Sequence, residues 1–197
     1  KTMKVLASLI LAAVMLTTYT FAQSRGYQLG DRVANFTLQG SNNQTVSLQD
    51  FADAKTVVVV FTNNQCPYSK LYESRLVTLA NTYTGKGVQF LFINPGAGDP
   101  GETLENMAAK NYSFPYLADT GQKTSAQFGA TKTPEVFVLH NTGDDFVLKY
   151  KGAIDDNPQL ESGVKNFYLR KVIDEVLANK TVTTLDKRAT GCLIKKY

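Results

Sequence analysis

Thr56-Val57-Val58-Val59-Val60-Phe61-Thr62 runs directly into Asn63-Asn64-Gln65-Cys66-Pro67-Tyr68-Ser69-Lys70, and the join between these two strings decides the fold. An unbroken β-branched run reads as a strand covered on both faces, because neither side of its pleat carries polar groups for water. It is the candidate for a central parallel strand. The polar loop after it ends at a cysteine. From residue 69 to 83 apolar side chains then recur at Leu71, Tyr72, Leu76, Leu79, Ala80 and Tyr83, the spacing of one helix face, with Gly85 past the end. A strand therefore delivers Cys66 to the start of a helix.

Working outward, residues 88–93 read as a second buried strand stopped by Asn94-Pro95-Gly96, and 102–110 as a helix. Tyr116 and Leu117 begin a short strand, and residues 123–128 form a short helix ended by Gly129. Residues 135–139 and 146–150 make a hairpin through Asn141-Thr142-Gly143. Val164, Phe167, Tyr168, Ile173, Val176 and Leu177 supply the apolar stripe of a last helix, and 179–197 reads as a polar tail. On the N-terminal side, Phe36 and Leu38, then Val46 and Leu48, flank Ser41-Asn42-Asn43 as a decorating hairpin. The order β-α-β-α-β-α-β-β-α is that of an α/β domain: a mostly parallel sheet with helices on both faces and an antiparallel closing hairpin. No repeat or linker divides it.

Composition agrees with one globular domain, since 43% of the 197 residues are hydrophobic, 19% are charged and the net charge is +4. Fourteen Gly and six Pro without a period exclude a collagen-like chain, and two Cys are too few for a disulfide scaffold. Residues 1–22 read as a secretory signal: Lys1 and Lys4 are followed by an apolar stretch over 5–16 and by Thr20-Phe21-Ala22 before the cut, leaving 23–197 as the domain. That stretch is short for the ~20 apolar residues of a bilayer span, so no membrane span is expected after cleavage; an uncleaved N-terminal anchor is the alternative reading. Losing two lysines and no acids lowers the net charge from +4 to +2, which leaves no footprint for nucleic acid. In an oxidising compartment Cys66 and Cys192 are expected to be oxidised, catalytic or both.

Cys66 is the candidate nucleophile, because unpaired amides and the positive end of a helix stabilise a thiolate, the reactive form. Pro67 fits the first helical turn, where a missing N–H is harmless, and Lys70 reads as solvated. Thr133-Pro134 opens a strand, where a proline is tolerated at an edge or as a cis peptide. His140, the only histidine, reads as a surface residue. Asp155-Asp156-Asn157-Pro158 reads as turn and cap chemistry, and Gly96-Ala97-Gly98 as a turn. No metal site or cofactor is expected, since one His and two Cys lack the spacing of a zinc site.

A strand ending in a Cys-Pro turn, a helix, Thr-Pro opening a hairpin and a last helix together resemble the thioredoxin fold. Leu29-Gly30-Asp31 with Asn35-Phe36, and the long N-terminal hairpin, resemble its peroxiredoxin-like (redoxin, AhpC/TSA-type) branch. The strings Asn64-Gln65-Cys66-Pro67-Tyr68, Tyr150-Lys151-Gly152-Ala153-Ile154-Asp155-Asp156-Asn157 and Thr190-Gly191-Cys192-Leu193-Ile194-Lys195 are similar to those of secreted bacterial redoxin-domain proteins, which implies a periplasmic location. The resemblance implies a cis Pro134 facing Cys66, Thr133 presenting backbone to a substrate, and Pro67, Tyr68, Ser69, Thr133 and Pro134 as the substrate-binding set.

Two departures refine this. Ser69 stands where thioredoxins carry the second cysteine of Cys-x-x-Cys, so the resolving thiol must come from elsewhere, and Cys192 is the one available. The peroxidatic pattern Pro-x-x-x-Thr-x-x-Cys is missing, since Asn63 stands three before Cys66 and Val59 seven before it. The expected activity is thiol–disulfide exchange with protein or small-molecule disulfides and thiols, Cys66 attacking and Cys192 resolving, with an electron donor the sequence does not identify. The alternatives are a weak thiol peroxidase using the same two cysteines, and a non-enzymatic binding module stapled by them. For the pair to meet, the tail must dock beside Cys66, with Leu193 and Ile194 packing on the fold.

Overall fold

The computed structural model describes residues 25–196, so the leader read over 1–22 lies outside them. In chain order the strands and helices are β1 (Arg32–Val33), β2 (Thr37–Gly40), β3 (Thr45–Ser47), β4 (Thr56–Phe61), α1 (Pro67–Thr84), β5 (Val88–Asn94), α2 (Leu104–Ala108), β6 (Tyr116–Ala118), α3 (Lys123–Phe128), β7 (Lys132–Thr133), β8 (Glu135–Asn141), β9 (Phe146–Gly152), α4 (Tyr168–Leu177), β10 (Asp186–Lys187) and β11 (Cys192–Leu193). No described helix is long and apolar enough to cross a membrane.

All six residues of β4 are buried, as its β-branched run requires. The main sheet has the order β1-β9-β8-β4-β5-β6-β2-β3, with β10 added alongside β9. Alternation along β4 sends Val57, Val59 and Phe61 into one core and Val58 and Val60 into another. On the Val58 side, α1 and α4 contribute Tyr72, Leu76, Leu79, Val172 and Ile173. On the Val59 side Phe128 of α3 is the hub, in edge-to-face contact with Tyr27, Phe36, Phe61 and Phe137. Helices thus cover both faces.

The sheet is more mixed than the element alternation suggests. β4, β5 and β6 run parallel, but β8 and β9 are antiparallel on one side and β2 and β3 on the other. The expected N-terminal hairpin is part of the sheet because β2 pairs with β6, and it is not a separate decoration. The last helix starts at Tyr168 rather than at Val164, since the Asp156 carboxylate accepts from Lys165 N (2.9 Å) and Asn166 Nδ2 (2.7 Å) and holds that stretch off the helix. α2 is shorter than 102–110, because Glu102 turns inward and Thr103 caps the helix by accepting from Asn106 N at 3.2 Å. Leu71 faces solvent, one position off the buried Tyr72, Leu76 and Leu79 stripe. His140 is half-buried at the end of β8, and its Nδ1 has no partner among the described residues.

The polar tail does pair. Asp186 and Lys187 run parallel to the end of β9, where Gly152 has a φ of 128° and any Cβ would overlap the Lys187 carbonyl oxygen. Beyond it, β11 lies antiparallel to β7, Cys192 opposite Thr133 and Leu193 opposite Lys132. Ile194 packs on the Val59-side core as expected, whereas Leu193 is 73% exposed, because adjacent strand residues point to opposite sides.

Candidate functional site

The loop between β4 and α1 is held from both ends. Asn63 Oδ1 accepts from Cys66 N at 2.9 Å, a side-chain turn that aims Cys66 at the helix start. From below, the Glu102 carboxylate accepts from Asn64 N (2.9 Å), Gln65 N (2.7 Å) and Asn94 Nδ2 (2.8 Å). Glu102 is 3% exposed and makes no ion pair among the described residues, so these donors take the place of water around its buried oxygens. Cys66 is the N-cap of α1, extended at φ −67° and ψ 122°, with Pro67 as the first helical residue. Its own carbonyl accepts the first helical bond, from Lys70 N at 3.1 Å.

Cys66 is joined to Cys192 by a disulfide with Cα atoms 5.9 Å apart. The Thr133 carbonyl oxygen lies 3.0 Å from Cys66 Sγ, and the Thr133–Pro134 peptide is cis. The first-turn amides favour a negative sulfur, whereas the Thr133 carbonyl beside it favours an uncharged thiol or disulfide. A cleft of about 520 Å³ opens next to the bond, walled by Gln65, Cys66, Pro67, Pro95, Cys192 and Ile194. Gln122 spans it, donating through Nε2 to Pro95 O (3.0 Å) and to Lys195 O (2.6 Å) in the tail.

Of the residues picked from the sequence, Cys66, Pro67 and Cys192 meet at this cleft. Thr133 and Pro134 are buried behind the tail strand, and the Thr133 hydroxyl has no partner among the described residues. Tyr68 is half-buried and off the cleft wall. Ser69, 4% exposed, faces a small polar cavity on the other side of the loop, with Asn64, Glu73, Tyr112 and Tyr116. There Tyr116 OH donates to Asn64 Oδ1 (3.1 Å), and Glu73 accepts from Tyr112 OH (2.9 Å) and Lys110 Nζ (2.7 Å). Burial, then the Glu73 contact, push the Tyr112 hydroxyl well above its ordinary range.

The Asp155 turn is turn chemistry, as read, joined to a buried ion pair. Asp155 accepts from Arg75 Nη1 (2.9 Å), Tyr72 OH (2.7 Å) and Asn157 N (2.9 Å), which ties the end of β9 to α1. No group of residues that could hold a metal ion occurs among the described residues. Sequence reading missed Glu102, Gln122 and Gly191. Only Asn63, three before Cys66, carried a local signal for the shape of the loop.

A sequence profile of the AhpC/TSA family matches residues 29–156. A hypothetical protein from Sinorhizobium meliloti is 34% identical, the match covering 89% of this chain and 98% of that one, with a TM-score of 0.79. An uncharacterized conserved protein from Geobacillus kaustophilus is 31% identical over 88% and 95% of the two chains, with a TM-score of 0.78. A putative thiol:disulfide interchange protein DsbE from Chlorobium tepidum, 18% identical over 77% and 99% with a TM-score of 0.60, shares the fold. No curated protein matches the sequence. With a profile match over most of its length and a thioredoxin-like fold in which a cysteine caps the first long helix, the chain belongs to the AhpC/TSA family.

Proposed function

We propose that the protein is a thiol–disulfide oxidoreductase working outside the cytoplasm, with Cys66 as nucleophile and Cys192 as resolving thiol. The observation that carries this reading is the Cys66–Cys192 bond itself, made between the cysteine at the N-cap position of α1 and a tail strand at the wall of an open cleft. In the reduced protein the Cys66 thiolate attacks one sulfur of a client disulfide. The other client sulfur leaves as a thiolate and takes a proton. Cys192 then bonds to Cys66, expelling the second client sulfur. The client gains two electrons and two protons, and the protein's dithiol becomes the disulfide seen here. Another thiol donor must reduce it for a further turnover. The leader pattern over 1–22 supports export, where such a bond persists.

The test is insulin reduction by the reduced chain. Cys66→Ser should abolish it, while Cys192→Ser should accumulate a mixed disulfide on Cys66. A reduction potential below about −300 mV, the range of structural disulfides, with no turnover would instead assign the bond as a staple in a binding module. Family membership brings a peroxide-reducing reading with it. The absence of threonine and proline at the peroxidatic offsets from Cys66 weighs against it.

A further inference from the structure

We propose that residues 190–195 are a built-in copy of the client, so that the exchange cleft takes extended polypeptide segments in which glycine immediately precedes the exchanging cysteine and an aliphatic residue stands two places after it. The proposal rests on the exchange reading above and names the substrate class of that same site.

The tail is seated mostly through its backbone. β11 pairs with β7, Ile194 N donates to Thr131 O at 3.0 Å, Gln122 Nε2 donates to Lys195 O at 2.6 Å, and Lys132 Nζ reaches Gly191 O at 3.4 Å. None of these bonds depends on the tail's side chains, so any extended segment can make them. When the disulfide is reduced and the tail lifts, β7 is left with an unpaired edge, which another extended chain can join.

Selectivity comes from the two positions on either side of Cys192 that touch the fold, Gly191 and Ile194. Gly191 does not have a positive φ, so its backbone does not demand glycine; its neighbour does. A Cβ there would overlap the Thr133 carbonyl oxygen, lie 2.8 Å from the Thr133 carbonyl carbon and lie 3.2 Å from Pro134 N. These are main-chain atoms of the peptide facing Cys66, and they cannot swing aside. Leu193 is 73% exposed and is not read. Ile194 packs on the core and supplies the apolar anchor. A client cysteine that bonds to Cys66 in the place of Cys192 meets the same two constraints, and tail and client occupy the edge in turn.

The test uses the full chain carrying Cys192→Ser, reduced, with peptides of sequence Thr-Gly-Cys-Leu-Ile-Lys activated at cysteine by 2-nitro-5-thiobenzoate. Cys66 displaces the aromatic thiolate, whose release is followed by absorbance, and bonds to the peptide sulfur. Changing the peptide glycine to alanine is expected to slow capture at least about tenfold, the effect of an overlap with fixed backbone. Changing the isoleucine to serine should also slow it, and changing the leucine to alanine should not. In the chain that keeps Cys192, Gly191→Ala should shift the Cys66–Cys192 equilibrium toward the dithiol by about tenfold, with Leu193→Ala as the unshifted control. Equal rates for the glycine and alanine peptides, with Cys66 still reacting briskly with a small aromatic disulfide, would overturn the selectivity and leave exchange standing. Failure of Cys66 to react with any disulfide would remove the exchange reading and this proposal together. Formation of dimers linked Cys66 to Cys192 in place of peptide capture by the unaltered reduced chain would assign the edge to a second copy and overturn the client reading.

Discussion

Ser69 sits one helical turn beyond Cys66, 4% exposed, and looks into the polar cavity instead of the cleft. Ser69→Cys restores the Cys-x-x-Cys spacing and should move the disulfide of Cys66 to the introduced thiol, freeing Cys192 for alkylation. A peptide map of the non-reduced variant checks this. Hydrogen peroxide should be a poor substrate for reduced Cys66, since Asn63 and Val59 occupy the offsets where a peroxidatic cysteine has threonine and proline. Stopped-flow mixing should show sulfenate forming more slowly than thiol–disulfide exchange. Glu102 is the residue on which the loop hangs. Glu102→Ala strands two backbone amides and the Asn94 amide, an effect on the order of 3 kcal/mol in urea denaturation. It should also slow exchange at Cys66. Cys66 and Pro67 could be placed from the sequence because helix-start chemistry is local. Glu102 could not, because 38 positions separate it from Asn64 and only the β5–α2 connection brings it under the loop.

At the scale of elements, legibility followed periodicity. β4, β5 and α1 carry long apolar patterns that tertiary packing then uses, with Leu71 of α1 alone turned to solvent. β10 and β11 have two residues each, too short for any period, and exist because Gly152 admits the Lys187 carbonyl and Gly191 admits that of Thr133. The start of the tail has its own anchor: Glu175 on α4 accepts from Thr183 N (3.0 Å) and Thr183 Oγ1 (2.7 Å). Slight burial raises the Glu175 carboxyl, but the two Thr183 bonds, with Lys171 and Lys180 nearby, outweigh it and hold the group below its ordinary 4.5. A lowered value stabilises the fold above the unfolded-state pKa, and that contribution is lost as pH falls through the folded value. Residues 180–185 should therefore open below about pH 4.5 before the sheet does, seen as amide exchange, corrected for its intrinsic rate, that rises first in this stretch.

For the whole molecule, the two cores flanking one sheet put several tyrosines inside. Burial, reinforced by acidic neighbours, raises Tyr72, Tyr83, Tyr112, Tyr116 and Tyr150 above the ordinary 10.0. A raised value in the folded state means stability that is whole below the unfolded pKa and lost as pH rises beyond it. Spectrophotometric titration should leave these five of the ten tyrosines un-ionised past pH 10, then show them ionising together as the chain unfolds. The disulfide acts at the same scale. A cross-link over a separation of 126 should contribute about 5 kcal/mol through the unfolded chain. Reduction should then lower Tm by roughly 10 °C or more, read by calorimetry with and without reductant.

The same separation sets a schedule for biogenesis. Synthesis runs from the N-terminus, so Cys66 leaves the ribosome 126 positions ahead of its partner, an interval of roughly 10 s at the usual elongation rates. By then β4, α1, β5 and β6 have all emerged, and Cys66 stands ready with no other cysteine of its own chain to bond. Closing the ring must thus wait until Cys192 has been made. Until then the newborn protein is most open to capture by stray thiols and oxidants at Cys66, the sulfur proposed above as the nucleophile.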